Sequence, residues 1–246
     1  MRPIFTLSCC LLLTACVTVT DKPEPEIKVS KKEKAETRIE LGLGYMRQGN
    51  MIKARENLER ALYFSPEYYR AQLSMAHYFE KVGETTSARE MYEDAIDDNP
   101  KNGNVMNNFA TFLCKHGEYK KADRYFNQAI DQPYYYLIAA SYENAGYCST
   151  KSGHTDKART YFQRALDHDP NRPRSLLQLA KLEIEQGAYN DARLRLFQFQ
   201  QRYGMRKPSL EMLIKLEKKA GNRALQIKYQ NQLDKFLAKR ANLKAS

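Results

Sequence analysis

Residues 35–68, AETRIELGLGYMRQGNMIKARENLERALYFSPEY, and residues 69–102, YRAQLSMAHYFEKVGETTSAREMYEDAIDDNPKN, carry one pattern at a period of 34. In the first stretch Leu41, Gly42 and Tyr45 precede a turn at Gly49, and Ala54, Leu58, Ala61 and Pro66 follow. The same slots in the second hold Met75, Ala76, Phe79, Gly83, Ala88, Tyr92, Ala95 and Pro100. A third copy reads Phe109, Ala110, Leu113, Gly117, Ala122, Phe126, Ala129 and Pro133. Two residues are then inserted, after which a fourth copy shows Ala145, Gly146, Gly153, Ala158, Phe162, Ala165 and Pro170. The fifth has Leu179, Ala180, Gly187, Ala192, Leu196 and Phe199, with Pro208 beyond it. A repeat of this length is one supersecondary unit that cannot bury its apolar face alone and must stack on its neighbours.

Each slot has a physical task. Small residues at Gly42, Ala76, Ala110, Gly146 and Ala180 let two helices approach closely, while the large residues fill the space between hairpins. The glycines at the turns permit the positive φ that ends a first helix, and the prolines stop the second helix before the next unit. A composition of 28% charged residues, no Trp, 11 Gly and 9 Pro fits continuous helix. The spacing therefore predicts an all-α superhelix of five clear helical hairpins over residues 35–206. The pattern resembles the tetratricopeptide repeat. Residues 207–246 still read helix, turn at Gly221-Asn222, helix, but Gln226 and Gln230 stand where Ala and an aromatic are expected. This predicts a degenerate sixth repeat and cap, which covers the apolar end of the stack.

The first residues set a compartment. Arg2, the apolar run Ile4 to Leu13 and the sequence Leu13-Thr14-Ala15-Cys16 read as a lipoprotein signal peptide over residues 1–15, too short to span a bilayer. Cys16 is then the lipidated residue, and Val17 after it points to the outer membrane by resemblance to bacterial lipoproteins. Residues 16–34, with Pro23 and Pro25 and no apolar periodicity, read as a flexible linker. The formal charge is +11, and processing removes only Arg2. Such a surface commonly suggests nucleic acid, which export argues against. Lipid headgroups, acidic proteins and cell-wall polymers are the acidic partners that remain, beside a plain contribution to solubility.

Cys114 and Cys148 occupy the first helices of adjacent repeats and are the thiols left in the folded part. In an oxidising compartment they either pair, if their Cα atoms lie within ~7 Å, or stay as two buried thiols. Four histidines, His77, His116, His154 and His168, sit at unrelated repeat positions without ligand spacing. No phosphate-cradling glycine loop or nucleophile motif occurs either, so neither enzyme, cofactor, metal nor small-molecule substrate is expected.

Partner-binding candidates lie on the first helix of each hairpin, which lines the concave surface in the family that the repeats resemble. Ile39, Leu43 and Met46 follow i, i+4, i+7 spacing and form a second apolar stripe beside Leu41, Gly42 and Tyr45. This stripe reads either as a hydrophobic groove for a partner segment or as more core. In the middle of the chain, Asn107, Asn108, Glu143, Asn144 and Tyr147 offer amides and aromatic area, with Tyr134, Tyr135 and Tyr136 close by. They either hold a bound chain or satisfy contacts between repeats. The apolar Ile39 and Leu43 do not support a carboxylate clamp.

Taken together, the lipobox at Cys16, the phased repeats, and the segments Asn107-Asn108-Phe109-Ala110, Phe112-Leu113-Cys114 and Glu143-Asn144-Ala145-Gly146 with Cys148 resemble the PilF/PilW type IV pilus biogenesis lipoproteins. The resemblance implies an outer-membrane lipoprotein acting as pilotin, needed for the secretin to reach that membrane and multimerise. Its implied partners are the secretin and, through the lipid, the membrane. A scaffold lipoprotein of another envelope complex is the alternative.

Overall fold

The computed structural model describes residues 29–245; the signal peptide, Cys16 and most of the linker lie outside these residues. Twelve helices follow one another as six antiparallel hairpins. The first three hairpins are α1 (Lys31–Arg47) with α2 (Met51–Phe64), α3 (Tyr69–Val82) with α4 (Thr85–Asp98), and α5 (Gly103–Lys115) with α6 (Tyr119–Ile130). The next three are α7 (Ile138–Lys151) with α8 (Thr155–His168), α9 (Pro173–Glu185) with α10 (Tyr189–Tyr203), and α11 (Lys207–Lys219) with α12 (Arg223–Ala245). No strand occurs among the described residues.

The turn within each hairpin is one device used six times. Gly49, Gly83, Gly117, Gly153, Gly187 and Gly221 take φ between +75° and +84°, which a side chain would resist. The amide that follows then reaches back to a carbonyl of the closing helix, as Asn50 N does to Tyr45 O and Asn222 N to Glu217 O, both at 2.9 Å. The small slot is also used as expected. A Cβ on Gly42 would lie 2.7 Å from Leu58 Cγ, and one on Gly146 2.7 Å from the Phe162 ring.

Between hairpins, every second helix packs on the next first helix, and α1 meets α3, α3 meets α5, α5 meets α7 and α9 meets α11. No two second helices among the described residues come comparably close. The first helices therefore line the inner side of the curved stack. The core runs along it in successive clusters, the largest around Phe109, Phe112, Leu113 and Phe126.

One feature departs from the sequence reading, and two others show how the structure meets it. Helix α1 starts at Lys31, inside the expected linker, because Ser30 and Glu33 form a capping box: Glu33 N donates to Ser30 Oγ at 3.1 Å and Ser30 N to Glu33 Oε2 at 2.7 Å. The sixth hairpin is closed as regularly as the others, burying Leu210, Leu213, Leu216, Tyr229 and Leu233. The two-residue insertion is absorbed between the third and fourth hairpins, where seven residues, 131–137, connect α6 to α7 instead of the four that connect α2 to α3.

Candidate partner-binding groove on the inner face

Helix α3 lies across α1 and decides which of the two α1 stripes is core. Ile39 is fully buried against Ala35, Ala61 and Ala71, and Met46 is buried among Leu58, Met75 and Tyr78. The expected open groove of Ile39, Leu43 and Met46 is thus not present, since two of its three residues fill the space between the first and second hairpins. Leu41, assigned to packing, is instead 42% exposed. Only Leu43 stays half-buried at the inner surface.

Leu43 instead contributes to a recess of about 410 Å³ that crosses three hairpins. Leu43 and Leu73 are its apolar part; Tyr69 and Arg70 enter from the start of α3, Asn104 and Asn108 from α5, and Tyr136 from the 131–137 connection. Arg70 is held by Glu36 at 2.7 Å and Glu40 at 3.3 Å, so the recess carries little net charge. Tyr68, beside it, donates to Glu36, and burial, together with that carboxylate, pushes its phenol up to about 12. Asn108 spends its amide nitrogen on Asn104 O at 2.8 Å, which leaves its side-chain oxygen free to accept. Tyr136 is largely exposed and also borders a second recess of about 240 Å³ shared with His168 and Arg172. It forms a ridge between the two.

The ridge is anchored from beneath. Tyr135 turns inward, and its hydroxyl lies 2.8 Å from Ser141 Oγ; burial raises its phenol above the ordinary range, partly opposed by Ser141. Ser141 Oγ donates to Asn107 Oδ1 at 3.0 Å, and Asn144 Nδ2 donates to the same oxygen at 3.1 Å. The Tyr135 ring lies against Gly103, where a Cβ would come within 2.6 Å of it. On the adjacent face the structure joins Cys114 to Cys148, with Cα atoms 5.8 Å apart.

Four of the five mid-chain candidates therefore have structural partners. Glu143 is buried, receives Arg172 Nη2 at 2.9 Å and Ser175 Oγ at 2.7 Å, and ties the fourth hairpin to the fifth; it is not available to a partner. Tyr147 packs edge-on against Phe162 at 5.2 Å, and burial first, then the Glu143 charge, raises its phenol. Asn107 and Asn144 share an inter-repeat bond, and Asn108 and Leu43 line the recess. Sequence reasoning missed Tyr69, Arg70 and Asn104 as lining residues. The signal for Tyr136 was the tyrosine run falling within an insertion.

An array of helical hairpins with a mixed apolar and amide recess on its inner side is a protein-binding scaffold of the tetratricopeptide type. The tetratricopeptide-repeat family matches residues 35–68, 91–124 and 149–203. The type IV pilus assembly protein PilF of Pseudomonas aeruginosa is 30% identical over 224 residues, covering 91% of this chain and 89% of that protein. The solved structure of Pseudomonas aeruginosa PilF superimposes with a TM-score of 0.72 at 29% identity, over 84% of this chain and 93% of the other. That of PilW, described as a widely conserved type IV pilus biogenesis factor, also gives 0.72, at 26% identity over 86% and 94%. The chain belongs to the PilF/PilW family of tetratricopeptide-repeat proteins.

Proposed function

We propose that this chain is an outer-membrane lipoprotein, anchored through Cys16, that serves type IV pilus biogenesis as a pilotin: it binds the secretin on its inner face and promotes its localisation and multimerisation. The observation that carries the reading is family membership along nearly the whole chain, with relatives described as a pilus assembly protein and a pilus biogenesis factor. The lipobox of the first 16 residues supports the anchor, and envelope residence agrees with the relatives' role. None of the described helices is long and apolar enough to cross a membrane.

The inner recess suits an extended or helical segment of the partner. One apolar side chain would contact Leu43 and Leu73, and the Asn104 and Asn108 amides would bond the partner's backbone. The test is secretin assembly in cells lacking the protein, scored as heat-resistant multimers in the outer-membrane fraction. Multimers are expected to disappear and to return with the wild type, but not with Leu43→Asp or Asn108→Arg. Circular dichroism and thermal unfolding establish that these variants fold. Normal multimers in the deletion strain would overturn the pilotin reading and favour a scaffold for another envelope complex.

A further inference from the structure

The positive charge of this chain is concentrated at one end. After Gly204 the sequence holds 11 Lys and Arg against 3 Asp and Glu, so 8 of the 11 net positive charges lie in the last 42 residues. The 204 residues before them are close to neutral.

The three acids of this segment are already engaged. Glu217 is buried and accepts both Arg193 Nε at 2.7 Å and Arg193 Nη2 at 2.9 Å. Glu211 lies 3.6 Å from Lys207, and Asp234 accepts from Gln230 at 3.0 Å. Lys235 and Lys239 have no carboxylate within salt-bridge reach among the described residues.

These two lysines line a notch of about 750 Å³ at the last hairpin. Gln232, Lys235, Phe236 and Lys239 follow i, i+3, i+4, i+7 spacing and present one face of α12. Opposite stands the connection into α11, with Met205, Arg206, Lys207 and Pro208. Met205 is 53% exposed, an unusual placement for a large apolar side chain beside so many cations. Each of α2, α4, α6, α8 and α10 is covered by the first helix of the next hairpin, whereas α12 receives no such helix among the described residues.

We propose that this notch is a second docking site, which takes an acidic segment of a partner protein carrying at least one large apolar side chain. Charge complementarity selects the acidic segment, and Met205, Pro208 and the apolar lining select the apolar anchor. The cations flank a recess and not a flat face, which favours an inserted segment over a bilayer surface. The site lies at the end of the stack, away from the recess at Leu43, so the outcome at either one leaves the other standing.

The test uses the purified protein and a fluorescein-labelled 12-residue peptide of Asp and Glu with Phe-Leu at its centre, read by fluorescence anisotropy. Wild type is expected to bind it. The Lys235→Glu, Lys239→Glu pair is expected to weaken binding at least tenfold. Lys218→Glu with Lys219→Glu, which reverses the same charge at the other end of α11, is expected to weaken it less than threefold. Replacing Phe-Leu by Ser-Ser in the peptide, or Met205→Glu in the protein, is expected to weaken binding as well. All substituted residues are exposed, and unchanged thermal unfolding confirms each variant as folded. Equal weakening by both lysine pairs would reduce the notch to general attraction and overturn the proposal. So would absence of peptide binding, or lysine-dependent sedimentation with phosphatidylglycerol vesicles in place of peptide binding.

Discussion

The first and second hairpins meet differently from the third and fourth. At the first junction a four-residue connection, 65–68, brings α3 onto α1 by small apolar packing of Ala35, Ile39, Ala61 and Ala71. Its polar contacts are rim ion pairs of Arg70 with Glu36 and Glu40, each of them partly exposed, and the hydrogen bond that the Tyr68 hydroxyl donates to Glu36. At the central junction the connection is seven residues long and the fasteners are specific. They are a disulfide, the Tyr135–Ser141–Asn107–Asn144 chain of hydrogen bonds, and an aromatic ring set against a glycine. At the first junction, where the spacing is regular, small apolar packing carries the docking and the polar contacts lie at its rim. Where the spacing breaks, bonds between residues distant in sequence hold the register that the period no longer supplies.

The covalent bond is the strongest expected contributor. Breaking Cys114–Cys148, by reductant or by Cys114→Ser with Cys148→Ser, opens a loop with a sequence separation of 34. In the chain-entropy model this costs about 4 kcal/mol, or a fall in Tm of roughly 8–16 °C. Hydrogen exchange should locate the new opening at the central junction, with the first junction unchanged. A loss below about 1 kcal/mol would mean that the polar chain suffices alone.

Ion pairs give the next largest contrast. Glu143 is nearly inaccessible between Arg172 and Ser175, while Glu36 beside Arg70 is partly exposed. Glu143→Ala leaves a half-buried guanidinium and a buried hydroxyl without their acceptor, and is expected to cost about 3 kcal/mol. Glu36→Ala is expected to cost less than about 1 kcal/mol. Denaturant unfolding of the two variants compares them directly, and equal losses would mean that the buried pair and the rim pair stabilise alike.

Gly103→Ala probes the aromatic wedge. Its Cβ would lie 2.6 Å from the Tyr135 ring and 3.1 Å from the Ala129 carbonyl oxygen, so the ring must leave and its bond to Ser141 must break. A loss of about 2 kcal/mol is expected. Combining it with Tyr135→Ala should cost far less than the sum of the two single losses, because both remove the same contact. Additive losses in equilibrium unfolding would show that the wedge and the hydrogen-bond chain act independently.

The same contrast marks how far the sequence could be read. The period, the turn glycines and the small slots at Gly42 and Gly146 are local signals, and the chain folds as they indicate. Ile39 and Met46 fit either an open stripe or core by sequence, because two apolar stripes on α1 obey nearly the same spacing, and only α3 packing across the helix distinguishes them. Leu41 is exposed for the same reason. The start of α1 was legible in Ser30 and Glu33 but was hidden by the charged composition around it. The recess itself was not legible: Leu43 and Tyr136 belong to different hairpins and share no local pattern, and meet only through the curvature of the stack.

Tyr134 offers the smallest and most pointed test. It is the one non-glycine residue at positive φ among the described residues, at +62°, while the hairpin turns give that conformation to glycine. Its side chain is fully exposed, so packing gives no return for the backbone strain. Tyr134→Asn, which tolerates the left-handed region better, is expected to raise stability by about 0.5–1 kcal/mol. Chemical denaturation measures this change, and no gain would show that the central connection carries no such strain. A gain in stability accompanied by weaker secretin assembly would mean that the tyrosine is kept for its exposed ring at the edge of the inner face. Partner contact, and not folding, would then account for its place in the connection.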